Sequence, residues 1–408
     1  MMGKPLNGIK ILDFTQFMSG PICTLLLSDF GAEVIKIENP PLGDNTRYGN
    51  VIDQEVSSHY ATRNRGKKSI VMNMKNQEHV ALFLKLVETA DAVVENYKPG
   101  TLEKFGITYE VLEKINRRIV LTSISGYGQD GPYASHAAFD QTVQAESGMM
   151  SITGQENGEP VKCGGSIADY CGGLMGCIGT LMGIVDAQKN GHGRRIDVSM
   201  MDSLIFCLEN QFSSFLRTGD IPKPSGNRYA SSAPIGDYMC KDGVSLMISV
   251  GTDSQWKAFT EALGQPQWLA NPDFATMVSR SKNYKALDIE VNRIFAQYTS
   301  DEIAEKLQSR KCVYGKINNF EAVKEHPQVK FRKTIVEAKY PNGISFKVPG
   351  NPILMSGMER ETEYEAVPLG FNTVEVLKEV CGEDEIHQIF DPVLEQVKKS
   401  TAEKYKES

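Results

Sequence analysis

The 408-residue sequence has no Cys-x-x-Cys pair, no His-x-x-x-His spacing and no G-x-x-x-x-G-K-[ST] loop. The first two absences leave no local ligand set for zinc, so no metal site is expected. The third removes the phosphate cradle of P-loop ATP chemistry. Histidine and tryptophan are scarce, at six and two. The eight cysteines are scattered, and the opening residues MMGKPLNGIKILDFTQF lack a basic stretch followed by a long apolar one. Reduced thiols and a cytoplasmic location are expected. Positive charge is also short: 44 Lys and Arg against 51 Asp and Glu give a net charge of −7. Nucleic acid is therefore not an expected partner, because neutralising phosphates takes a basic stripe. The most apolar run, CGGLMGCIGTLMGIVDA at 171–187, is short and bounded by Asp169 and Asp186. It reads as a buried helix that packs closely through Gly172, Gly176, Gly179 and Gly183, and no membrane span is expected.

Glycine, by contrast, is plentiful: 36 residues, above the ~7% of average composition. Short apolar runs alternate with helical patterns along the first 200 residues. Strands are expected at 9–14, 33–38, 69–74, 91–96 and 118–125, and helices from Ser19 to Gly31, at 78–90 and at 109–115. This alternation predicts an α/β fold with a Rossmann-like open parallel sheet. A long helix is expected from Asp202 to Arg217. The segment 218–235, rich in Pro, Gly and Ser, reads as a linker. A hairpin around Lys241-Asp242-Gly243 opens a smaller α+β domain, a second linker-like stretch lies at 340–353, and the tail from 373 is helical. The expected organisation is a large domain at 1–217, the linker, a small domain at 236–330, and a return at 331–408 that completes the large domain.

Two motifs mislead. Gly126-Tyr127-Gly128-Gln129-Asp130-Gly131 matches G-x-G-x-x-G after a strand, but Pro132-Tyr133 follow and no helix opens there to face a pyrophosphate. Gly164-Gly165-Ser166-Ile167-Ala168 nearly matches the esterase G-x-S-x-G, with alanine in place of the last glycine. The informative residue is Asp169, which stands where the glycine-rich helix begins. As an isolated feature it reads first as a helix N-cap. The functional reading is a carboxylate nucleophile beside glycines, where backbone can approach a bulky electrophile.

The sequence resembles the class III coenzyme A transferases, the formyl-CoA transferase and carnitine CoA-transferase family. The motifs that carry the likeness are collinear over essentially the whole chain. They are GAEVIKIENP (31–40), GDNTR (43–47), NRGKKSIVMNMKN (64–76), VENYKPGTLEKFGI (94–107), SISGYGQDGPY (123–133), AFDQTVQAESG (138–148), IADYCGG (167–173) and GRRIDVSMMDSL (193–204). The segment YMCKDGVSLMISVG (238–251) looks closest to the carnitine-type branch. The resemblance implies that Asp169 attacks an acyl-CoA, with anhydride and aspartyl-CoA thioester intermediates, and that CoA passes to a carboxylic acid. It implies CoA contacts at Asn73, Met74, Lys75, Asn96, Tyr97, Lys98 and Lys104, and an acidic site position at Asp140. CoA is then a substrate, with no further cofactor, and members form an interlocked homodimer.

Departures from the formyl-CoA pattern set the expected substrate. Asn39 and Met18 stand where that pattern has arginine and glutamine, and Ser231 and Ser232 replace part of a glycine-rich lid. Phe17 and Met18 are expected to favour a less polar acyl group, with 2-hydroxy or aliphatic acids as acceptors. A related α-methylacyl-CoA racemase would carry a histidine immediately before the acid at 140. Phe139 stands there, with His136 three residues upstream, which disfavours two-base proton transfer. A non-catalytic acyl-CoA-binding subunit would keep the lysines without needing Asp169.

Overall fold

The computed structural model describes residues 3–49, 52–53, 56–229 and 232–407. The chain divides into two compact units, one of residues 1–149, 163–219 and 327–408, the other of 150–162 and 220–326. The smaller unit thus takes in 150–162, which the sequence reading left in the large domain, and also most of the stretch read as a linker.

The larger unit is built on six parallel strands: β1 (Lys10–Asp13), β2 (Glu33–Glu38), β3 (Lys68–Val71), β4 (Ala92–Glu95), β5 (Val120–Ser125) and β6 (Arg195–Ser199). Their order across the sheet is β3-β2-β1-β4-β5-β6. Helices cover both faces, so the central strands are apolar runs buried on both sides. The chain moves outward from β1 to β3 and then restarts on the other side at β4. The crevice beyond the strand C-termini between β1 and β4 is where such sheets bind ligands.

The helices of this unit before residue 220 include α1 (Ser19–Asp29), α2 (Ser58–Asn64), α3 (Gln77–Val87), α4 (Tyr109–Ile115), α5 (Asp140–Glu146), α6 (Ile167–Asn190), α7 (Met200–Cys207) and α8 (Glu209–Thr218), and Thr373–Leu377 and Glu383–Glu407 follow in its C-terminal part. Helix α3 forms because Val80, Phe83 and Val87 recur on one face, while the Asn76 side chain accepts from the Glu78 N–H. That face packs under the C-terminal segment, where Val376, Leu377, Ile386 and Phe390 share its core. The expected single helix at 202–217 is two, α7 and α8, broken at Leu208, whose ψ of 15° leaves the helical range. The linker-like stretch at 340–353 is also part of a hairpin, with Ile335–Lys339 antiparallel to Ser345–Pro349. Its YPNG sequence is the turn, not a tether.

Helix α6 is 24 residues long and apolar enough by length and composition to cross a bilayer. In this structure its glycines press it against the same chain. A Cβ on Gly173 would lie 2.5 Å from the Ser19 carbonyl oxygen, and one on Gly176 would lie 2.4 Å from Ile124 Cδ1. The helix is thus seated on β5 and the start of α1, which fixes its N-terminus, and Asp169 with it.

The smaller unit has a three-stranded sheet, with Ser245–Ser249 between Ile235–Met239 and Tyr314–Lys316. Helices Asp253–Ala262, Tyr284–Phe295 and Ser300–Ser309 bury Trp256, Phe259, Leu287, Phe295 and Ile303 against it.

Candidate active site

Two cavities open at the C-terminal edge of the parallel sheet. One, of about 220 Å³, is lined by Phe17, Ser19, Asn96, Tyr97, Lys98, Ser125, Gly126, His136, Phe139, Asp169 and Met200, among others. The other, of about 180 Å³, is lined by Phe14, Gln16, Asn39, Asn73, Met74, Lys75, Tyr97, Thr101 and Phe105. Tyr97 belongs to both walls. Most of these residues come from the segments that leave β1 to β5, at the switch point that the strand order defines; Asp169 comes from α6 and Met200 from α7.

Asp169 lies in the first turn of α6 but does not cap it. The N-cap residue, Ser166, also makes no side-chain cap bond. The free N–H groups are met from another element, because Asp140 Oδ1 accepts from Ala168 N–H at 2.8 Å and from Asp169 N–H at 3.4 Å. Asp140 is buried at the start of α5 and is itself fixed by Gln144, whose Nε2 donates to Asp140 Oδ2 at 2.6 Å. Gln144 Oε1 accepts from the Cys163 N–H at 2.8 Å, tying down the loop before α6. With capping taken over by Asp140, the Asp169 carboxylate is left to the cavity.

Helix-terminal charge alone would hold Asp169 well ionised. Instead its pKa is pushed up to about 6, chiefly by burial and next by the negative charge of Asp140. Arg63 and the Ser19 backbone pull the other way. The result is a carboxylate that is ionised at neutral pH yet more basic, and more nucleophilic, than a solvated one. Space around it is also kept. A side chain on Gly164 or Gly165 would meet nothing within 4 Å, so the fold does not require glycine there.

The opposite wall is set by the loop after β1. Phe17 holds a left-handed backbone, φ 61°, which costs free energy for a non-glycine residue and persists only where its surroundings enforce it. Asn96 enforces it in part: its Oδ1 accepts from Gln16 N–H at 2.7 Å and its Nδ2 donates to the Gln16 carbonyl at 2.8 Å. Below the loop, Asp13 accepts from Thr15 Oγ1, Thr24 Oγ1 and Lys67 Nζ, all buried. The Phe17 ring then meets Phe139 edge-on, centroids 6.1 Å apart, and the pair forms an apolar wall facing Asp169.

Of the residues picked out from sequence, Asn96, Tyr97, Lys98, Phe17 and Asp169 share the first cavity, and Asn73, Met74, Lys75 and Tyr97 the second. The Asn96 amide is engaged with the loop, so it acts as a brace. Asp140 acts through the helix terminus. Lys104 is exposed on the turn Glu103–Phe105 and lines neither cavity. Met18 precedes α1, half-buried, and lines neither. Ser232 belongs to the smaller unit, where its hydroxyl donates to the Val250 carbonyl at 2.9 Å; Ser231 lies outside the described residues.

Two residues that the sequence did not place in the site stand at it. His136 lines the Asp169 cavity, its ring 4.5 Å from that of Tyr133. Arg63, one position before the NRGKKS motif, stands on α2 with its charge acting on Asp169 and Tyr170. Its Nη1 donates to the His59 carbonyl at 3.2 Å, and its Nε is buried with no hydrogen-bond partner among the described residues.

A largely buried carboxylate in a cleft with an adjoining second pocket agrees with what the chain matches. Residues 6–373 match CoA-transferase family III. The chain belongs to this family. It is an α/β enzyme of the CoA-transferase class, acting in acyl-CoA metabolism. It is 34% identical to the human succinyl-CoA:glutarate CoA-transferase, over 94% of this chain and 87% of that one. It is 33% identical to the acetyl-CoA:oxalate CoA-transferase of Acetobacter aceti, over 89% of this chain and 92% of that one. The crystal structure of a CAIB/BAIF family protein from Brucella suis superposes with a TM-score of 0.82 at 30% identity, covering 93% of this chain and 100% of that one. None of these singles out the carnitine-type branch.

Proposed function

We propose that this enzyme moves CoA from an acyl-CoA to a dicarboxylic acid, with Asp169 as the nucleophile. The carrying observation is a cavity carboxylate that its own helix does not use, with a pKa near 6. Asp169 attacks the donor thioester carbonyl, giving an aspartyl anhydride and CoA thiolate. The thiolate attacks the aspartyl carbonyl and releases the donor acid, leaving an aspartyl-CoA thioester. The acceptor carboxylate displaces the thiolate to form a second anhydride. The thiolate then attacks the acceptor carbonyl and frees Asp169. One thioester is exchanged for another, so no ATP is needed. Hydroxylamine added with acyl-CoA alone should convert Asp169 to a hydroxamate, read by peptide mass spectrometry. Full turnover by Asp169→Ala would refute the assignment.

CoA is placed with its nucleotide end toward Asn73, Met74 and Lys75 and its thiol end past Tyr97 and Lys98. The shared Tyr97 wall supports this path.

The dicarboxylic acceptor rests on Arg63, a partly buried guanidinium with no ion pair among the described residues. It is suited to hold the carboxylate that does not react, while Phe17 and Phe139 line the carbon chain. Two relatives carry glutarate and oxalate in their names. Arg63→Gln should raise KM for glutarate at least tenfold and leave KM for a monocarboxylate such as butyrate unchanged. An equal effect on both acids would reject this role.

His136 in the cavity gives the racemase reading one point of support. Exchange of an acyl-CoA α-proton into deuterated water, without CoA transfer, would make that reading the better one.

A homodimer is proposed as the working form. Leu174, Ile178, Met182 and Val185 line the outward face of α6 and are 43–66% exposed, a stripe that water would otherwise wet. Light scattering after gel filtration at micromolar concentration tests it, and a monomer mass would reject it.

A further inference from the structure

Cys171 and Cys207 are 36 positions apart, yet their Sγ atoms lie 3.5 Å from one another. Cys171 is two residues beyond Asp169 in the first turns of α6 and is 8% exposed. Cys207 ends α7 and is exposed to solvent. One thiol is thus open to reagents and the other is poised behind it. Neither has a part in the transfer chemistry.

We propose that Cys171 and Cys207 form a reversible disulfide that switches off the enzyme by clamping the start of α6 to the end of α7. The oxidant is a small disulfide, R–S–S–R. Cys207, as thiolate, attacks one of its sulfurs, breaking that S–S bond and expelling RS⁻. The mixed disulfide Cys207–S–S–R results. The Cys171 thiol gives its proton to the first RS⁻, and its sulfur attacks Cys207 Sγ and expels the second RS⁻, which takes from water the proton that Cys207 had released. Two thiols are oxidised, and one R–S–S–R is reduced to two RSH.

Geometry sets the consequence. A disulfide is about 2.05 Å long, so two sulfurs now 3.5 Å apart must close by roughly 1.5 Å. The junction has little slack. A Cβ on Gly172 would already lie 2.7 Å from Met200 Cγ. Some of the closure is taken by the α6 terminus, and with it by Asp169 and the bonds from Ala168 and Asp169 to Asp140. A shift of about 1 Å in a reacting group costs on the order of 10²-fold in rate. Cys171 is the less reactive of the two, because burial and the neighbouring Cys207 push its thiol up to about 12, so exchange begins at the exposed Cys207.

The full-length enzyme is titrated with oxidised glutathione, and aliquots are assayed before and after dithiothreitol. Peptide mapping without reduction follows the thiols. The expected result is a Cys171–Cys207 cross-linked peptide whose yield tracks a loss of turnover of about 10²-fold, with activity restored by dithiothreitol. Cys207→Ser should keep its activity throughout. Failure to find the cross-link refutes the site. A cross-link without loss of turnover, or equal loss in Cys207→Ser, refutes the switch. The peptide readout does not depend on the role given to Asp169, so the two claims fail separately.

Discussion

Replacing Asp169 by Asn should destroy turnover and, at the same time, stabilise the protein. The native carboxyl has a pKa of about 6 against 3.8 for the free group. The native state therefore holds the Asp169 proton more tightly than the unfolded chain does. Between pH 4 and 6 the native form binds more protons at this site, so stability falls as pH rises through that window. Above pH 6 the whole penalty is present. A difference of about 2 units at 1.36 kcal/mol each makes it about 3 kcal/mol. Asparagine carries no such penalty, keeps the volume, and still offers a side-chain oxygen to the Ser19 backbone. Asp169→Asn should thus be about 3 kcal/mol more stable than the parent at pH 8. The gain should shrink as pH falls below 6 and vanish below pH 4. Urea unfolding of both proteins at pH 4, 6 and 8, followed by far-UV circular dichroism, measures it. Equal stability at pH 8, or a gain that is the same at pH 4, would refute the account of Asp169 as a buried carboxylate under repulsion from Asp140.

Asp140→Asn should move the acid limb of kcat/KM below 6, because it removes the second largest cause of the Asp169 shift. It should also weaken the cap on α6 by about 1 kcal/mol; an unmoved limb in the pH–rate profile counts against the coupling. Gly176→Ala places a methyl 2.4 Å from Ile124 Cδ1, and thermal unfolding should show a loss of about 1–3 kcal/mol. Asp13→Ala leaves Lys67 buried without its carboxylate, and a loss of about 3–5 kcal/mol is expected in urea. A change under 1 kcal/mol would mean that water replaces the missing partner.

The strands were legible because each is a short apolar run between turn signals. EVIKIE at 33–38 is strand from end to end, and Tyr109–Ile115 is helix at the expected limits. The errors fell where local pattern is ambiguous. Nothing in 202–217 breaks helical periodicity at Leu208, and the turn residues of YPNG are shared by linkers and hairpins. For the site, Asp169 was legible because a collinear family pattern surrounds it. Its N-cap reading failed for a reason that no local pattern carries: the cap comes from Asp140, 28 residues before Ala168.

By itself, then, the sequence determined the alternation of strand and helix, the family, and the carboxylate on which the proposed chemistry turns. All three are written in short-range periodicity or in contiguous motifs. Tertiary structure decided the strand order, and so the crevice at the switch point, and the partner of the glycine face, which is β5 and α1 of the same chain. It also raised Asp169 to a pKa near 6, brought Arg63 and His136 to its surroundings, and set Cys171 against Cys207. These depend on burial and on contacts between residues tens of positions apart. Such contacts arise only when the chain closes on itself.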